Sequence, residues 1–275
     1  MSKQSFISSY KYQLRRVILP PVLSISAVVA TMLLIAGFFG YSIDGKFTLE
    51  YAGAPGIDAM AGFMFFLYGI IFIPEFMNMG AANGVSRTTT LISSMAAFFT
   101  SSAICSAFVS VLSPLVSLIC GEGSEGFLLE IFYGERRFFM FYGENAFLVR
   151  VRFFLMITFL CFLCAAVGMA FSSIYYKLPR KGNIIFSVII MVICFFGYPF
   201  SKIILEKYGI NIDEILKEFF LAFGRLFGMA HVNGSMAGNC VQGAAMMFIF
   251  TAVFGVIAWL FVRRSGVKPA PIRGE

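Results

Sequence analysis

The chain is predicted to be an all-α integral membrane protein with six transmembrane helices, and three observations predict it. Six apolar runs stand out: Ile18 to Phe39, Ala59 to Met79, Leu91 to Ile119, Phe153 to Tyr175, Ile184 to Ile204 and Val241 to Val262. Each reaches the ~20 residues that an α-helix needs to cross a hydrocarbon core. Of the 275 residues 59% are hydrophobic and the mean hydropathy is +0.87, well beyond the composition of a soluble domain of this length. Finally, the acids are sorted. Twelve of the fourteen fall between Asp44 and Asp58, Glu122 and Glu144, or Glu206 and Glu218, in the segments after the first, third and fifth runs. Glu275 alone lies on the other side, and Glu75 falls inside a span.

Orientation follows the Lys and Arg residues of the short flanks. Lys3, Lys11, Arg15 and Arg16 precede the first run, Arg87 follows the second, Lys177, Arg180 and Lys181 follow the fourth, and Arg263, Arg264, Lys268 and Arg273 follow the last. The basic residues of the opposite side are mixed with the acids. Both termini are therefore expected in the cytoplasm of a multi-pass plasma-membrane protein. The net charge of +7 then reports topology and some attraction to anionic lipid, with no implication of nucleic-acid binding.

Residues 1–17 precede the membrane domain. Phe6, Tyr10, Leu14 and Val17 recur at steps of four, four and three, with the basic residues around the rest of the cylinder. The pattern predicts an amphipathic helix lying in the cytoplasmic interface, as a lipid anchor or as a docking element for a cytoplasmic subunit. Pro20-Pro21 marks the expected turn into the bilayer, since proline suits a first helical turn. The first run is too long for a signal peptide, and Gly37 to Tyr41 offers no small-x-small cleavage pattern, so it reads as a retained helix.

The second run carries Pro74 and Glu75, roughly two turns before its cytoplasmic end. A charge embedded in a span is costly unless paired or wetted. Glu75 either serves a function or pairs with Arg87 or with a basic residue of the N-terminal helix to brace the cytoplasmic face. Asn83-Gly84 is expected to end this helix with a left-handed residue, and Ser86 to cap the next. The third run bears Ser94, Ala97, Ser101, Ser102, Ser106 and Ser110 near helical spacing, a stripe that admits another helix closely, from this chain or from a second copy. Between Gly121 and Arg152, aromatic residues alternate with charges as in a membrane-interface belt.

The fourth run contains Cys161-x-x-Cys164 with no His or carboxylate near it, the setting of packed small side chains. Cys120 and Cys240, near the external ends of their spans, could pair if the fold brings them together. Leu178 to Gly182 makes a tight basic turn. After the fifth run, Asn211 and Glu214 form a capping box opening an external amphipathic helix, whose apolar face includes Phe219, Phe223, Leu226 and Phe227. The polar stretch from Asn233 to Asn239 then turns back into the last span, completing an external helical hairpin. Residues 263–275 are expected to form a cytoplasmic tail, and the whole chain, 1–275, one transmembrane domain with its membrane part at 18–262.

Catalytic equipment is sparse. His231 is the sole histidine, a poor metal site or general base by itself, and no Gly-x-x-x-x-Gly-Lys-Ser/Thr phosphate loop occurs. The chain is not expected to be an enzyme, nor to hold a metal or cofactor of its own.

The basic N-terminal helix, the six spans with both ends inside, the connection Asn83-Gly84-Val85-Ser86-Arg87-Thr88 and the external helical segment before the last span together resemble the ABC-2 type permease subunit of an ATP-binding-cassette exporter. The likeness is architectural and spans the chain. In many relatives a Lys follows the Arg of Gly-Val-Ser-Arg, where Thr88 stands here. The resemblance implies a homo- or heterodimer of permease subunits over two separate ATP-binding-cassette subunits, which would hold the ATP and Mg. It implies a coupling contact at Asn83 to Thr90 and an outer gate in the external hairpin, with Phe219, Phe223, Arg225 and His231 as gate candidates. The aromatic character favours a hydrophobic or amphipathic cargo such as a peptide, lipid or drug. A secondary transporter or channel, and a membrane immunity or scaffold protein without transport, are the alternatives from other classes.

Overall fold

The computed structural model describes residues 3–40, 57–120, 146–179, 181–190, 218, 222, 225–227, 231–232, 235–236 and 240–263. Its helices are α1 (Lys3–Gly40), α2 (Ile57–Ala82), α3 (Arg87–Cys120), α4 (Ala146–Lys177), α5 (Lys181–Ile190) and α6 (Cys240–Arg263). All except α5 contain a stretch long and apolar enough to cross a membrane. The five candidate spans match five of the predicted runs. The fifth run begins in α5, and the rest of it lies outside the described residues.

Helix directions follow from which residues meet. Ser9 bonds Ser93 and Ser101 bonds the Val17 carbonyl, so α1 and α3 run parallel. Tyr12 meets Glu75 while Ser24 meets Tyr68, so α1 and α2 are antiparallel. Gly62 lies against Leu160, and Asn78 accepts from the Tyr176 hydroxyl, which makes α2 parallel to α4. Phe159 touches Phe248 and Lys177 touches Phe261, which makes α4 parallel to α6. The start of α1 and the end of α6 therefore share one end of the bundle.

Lipid is as apolar as leucine, so helices in a membrane associate by close packing and by polar contacts between them. The α2–α4 seam is the closest: a Cβ on Gly69 would run into the Ala165 carbonyl, and one on Gly168 into that of Phe66. On the α1 side of α2, Tyr68, Phe72 and Phe76 stack at i, i+4 spacing, and Tyr12 meets Phe76 edge-on. The small-residue stripe of α3 receives α1 of this same chain, and Ser101 lies in that contact.

One expectation is corrected. The chain does not turn at Pro20-Pro21; both prolines lie inside the continuous helix α1, so residues 3–17 stand alongside α3. A proline within a helix frees the carbonyl four residues earlier. Pro21 frees that of Val17, and the Ser101 hydroxyl of α3 donates to it at 2.9 Å. The same solution recurs in α2, where Pro74 frees the Ile70 carbonyl and Ser172 of α4 donates to it at 2.8 Å. With the Val17 and Ile70 carbonyls occupied from neighbouring helices, Pro21 and Pro74 are tolerated and the helices continue.

Before the last span, His231–Val232 and Ser235–Met236 pair as two short antiparallel strands, with His231 opposite Met236 and Val232 opposite Ser235, at the stretch expected to turn back into that span. The two residues between the strands are Asn233 and Gly234, the pair best suited to a two-residue hairpin turn. Most of the expected helix from Asn211 lies outside the described residues.

Candidate functional site

The turn between α2 and α3 is built from local chemistry. Gly84 adopts φ +67°, a conformation strained for residues with a Cβ. Its N–H donates to the Ala81 carbonyl at 3.2 Å, and the Val85 N–H donates to that of Gly80 at 2.8 Å, the paired bonds of a Schellman helix end. The Ser86 hydroxyl accepts from the Thr89 N–H at 3.2 Å and so caps α3. Both features were expected from Asn83-Gly84 and Ser86. Asn83, Gly84, Ser86 and Thr88 are exposed, and Val85 and Arg87 are half-buried. Arg87 makes no ion pair among the described residues.

Behind the turn lies a polar seam. The Thr90 carbonyl accepts from Gln13 Nε2 at 3.3 Å, from Ser93 at 2.9 Å and from Ser94 at 2.8 Å. Ser9 bonds Ser93 and Tyr10 bonds Thr100, each at 2.9 Å. Gln13 is buried, with Oε1 unpartnered among the described residues. Sequence reading passed over Gln13. Its signal was the spacing of four that links it to Val17, Pro21, Ile25 and Val29, the most buried line of α1.

Glu75 meets the N-terminal helix, one of its two predicted partners, and not Arg87. Arg16 Nη2 lies 3.3 Å from Glu75 Oε1, the Tyr12 hydroxyl donates to the same oxygen at 3.3 Å, and Arg16 Nε donates to Tyr12 at 3.5 Å. The side chains of Arg16 and Glu75 are 58% and 36% exposed, so water screens the pair and by itself it adds little to stability. Its level matters more than its strength. From Ala59 to Pro74, α2 is apolar over about 24 Å, most of the ~30 Å of a hydrocarbon core. Tyr176 bonding Asn78, Lys177 over the Phe261 ring at 5.3 Å and Arg263 over Trp259 at 5.0 Å lie at about the same level. Aromatic and basic side chains of this kind mark a membrane–water boundary. Glu75 thus lies at the level of a belt of aromatic and basic side chains within the apolar stretch Met60–Ala82, and the α2–α3 turn stands about 10 Å beyond it, on a stalk made of the ends of α1, α2 and α3.

The opposite end holds the gate candidates. Phe219 and Phe223 lie outside the described residues, and His231 is in the β-hairpin. Arg225 is exposed, and its carbonyl and that of Leu226 accept from Gln242 Nε2 of α6 at 3.3 Å each. Phe227 stacks on Phe250 and is buried with Met156 and Met247. Gln242 and Phe227 therefore tie residues 225–227 to α4 and α6. Cys161 is buried in the α2–α4 core and carries no disulfide. Side-chain positions for Cys120 and Cys240 lie outside the description. No cluster of three metal-ligating side chains occurs among the described residues. No family model, characterised protein or solved structure matches the chain at a significant level.

Proposed function

We propose that the chain is the transmembrane subunit of an exporter driven by separate ATP-binding-cassette subunits, of the ABC-2 permease type, acting as a homo- or heterodimer in the plasma membrane. The observation that carries the reading is the exposed, rigidly capped turn Asn83–Thr88 at the tip of the stalk. It offers a docking contact beyond the membrane boundary, and the Arg16–Glu75–Tyr12 contact joins that stalk to the bundle. A chain without a phosphate-binding loop must take its energy from elsewhere, and such a turn is a suitable lever. Closure of the ATPases on ATP would push the turn and the start of α1 together, because the polar seam holds them as one body. The cargo class remains hydrophobic or amphipathic, and the external segment pinned by Phe227 and Gln242 is the candidate outer gate.

Glu75 at the boundary argues against an ion-coupled transporter, whose ionisable groups work near mid-membrane. The direct test is co-expression with the neighbouring genes, followed by detergent purification and reconstitution. Recovery of an ATPase subunit whose hydrolysis responds to the permease is expected. Repeated recovery of the folded chain with no ATPase would overturn the proposal, and hydrolysis without movement of any cargo would favour a scaffold. In the assembled complex, Glu75→Gln is expected to lower transport-coupled hydrolysis while leaving assembly intact; no change in either would remove Glu75 from the coupling path.

A further inference from the structure

The exposed face of α1 has a composition of its own. Ile7, Lys11, Arg15, Leu19, Leu23 and Ala27, spaced by four along a line that winds slowly around the helix, are all exposed. Leu19 and Leu23 are 60% and 57% exposed. The opposite side of α1, centred on Gln13, Val17, Pro21 and Ile25, packs on α2 and α3. Lys11 and Arg15 flank Tyr12, which touches Glu75, so they sit at the level of that belt with the apolar part of the stripe on the membrane side. Arg16 is neutralised by Glu75. Lys11 and Arg15 make no ion pair or hydrogen bond among the described residues.

We infer that this stripe is a binding face for an anionic phospholipid, whose phosphate sits between Lys11 and Arg15 and whose acyl chain lies along Leu19, Leu23 and Ala27. Two cations one turn apart, without an ion pair among the described residues, match a phosphodiester in charge and reach, and long basic side chains at a membrane boundary turn toward headgroups. A second copy of the chain fits this face poorly. A two-fold interface centred on it would bring Lys11 and Arg15 against their own copies. The inference rests only on the membrane reading of α1 and is independent of any ATPase.

The test extracts the full chain from bilayers of equimolar phosphatidylglycerol and phosphatidylcholine, and reads bound lipid by native mass spectrometry. Bound phosphatidylglycerol in excess of phosphatidylcholine is expected. The excess should fall about fivefold for each cation removed in K11Q and R15Q, remain unchanged in K181Q, and resist millimolar inorganic phosphate. Equal retention of the two lipids, an excess untouched by K11Q and R15Q, or displacement by phosphate alone would overturn it. Efficient disulfide dimerisation through Lys11→Cys in the bilayer would assign the face to a second copy instead. Circular dichroism and a single elution peak establish that each variant is folded, and the single variants carry the test if the double variant is not recovered.

Discussion

Gly84 and Gln13 show how single side chains set the candidate site. At Gly84 nothing lies within 4 Å of an added Cβ, so the obstacle to substitution is the backbone conformation alone. Gly84→Ala is expected to destabilise the α2–α3 connection by about 1 kcal/mol, the cost of a left-handed residue with a Cβ, and thermal unfolding in detergent measures it. An unchanged midpoint would mean that the turn relaxes. At Gln13 the balance differs. Gln13→Leu removes one bond to a carbonyl that keeps two serine donors, and it also removes a buried oxygen with no partner among the described residues. A shift within about 1 kcal/mol in either direction is expected. Gln13→Glu puts a carboxylate in the same buried place and is expected to cost several times as much. Both changes leave the exposed tip untouched, so ATPase binding should follow stability alone.

Each of the prolines Pro21 and Pro74 is answered by a serine on another helix, and Gly69 and Gly168 let two backbones touch. Gly168→Leu drives a side chain into the Phe66 carbonyl. It is expected to cost about 1–3 kcal/mol or more, seen as loss of a monodisperse detergent peak or a lowered midpoint. Ser172→Ala leaves the Ile70 carbonyl without its donor, and about 0.5–1.5 kcal/mol is expected. The apolar runs and the Asn83-Gly84-Val85-Ser86 connection were legible in the sequence because length, hydropathy and capping are local. The course of α1 was not. Proline is read locally as a helix start, and the hydroxyl that lets the helix continue through Pro21 comes from Ser101, 84 positions away. The pairing of Glu75 was legible only as a choice, since Arg87 and the N-terminal cations are equally available until α1 is placed. The β-hairpin at 231–236 was missed because Asn233-Gly234 was read as part of a longer polar turn, although that dipeptide is itself a hairpin signal.

Across the whole molecule, the helix directions place the start of α1, the α2–α3 turn and the end of α6 at one end of the bundle, with Arg225 at the other. Cysteine introduced at Asn83 should therefore be modified from the same side of the membrane as one introduced at Arg263, and one at Arg225 from the opposite side. On the proposed reading the first side is the cytoplasmic one, as the basic flanks predict. The proposed coupling to an ATPase requires that arrangement, because such a subunit would hydrolyse ATP on the side where the stalk projects. A photo-crosslinking amino acid at Asn83, in the chain co-expressed with its neighbouring genes, tests the account most directly. The predicted result is a covalent adduct with an ATP-binding-cassette subunit from position 83 and none from position 225. An intact complex that gives no adduct at 83, or gives one only at 225, would contradict it.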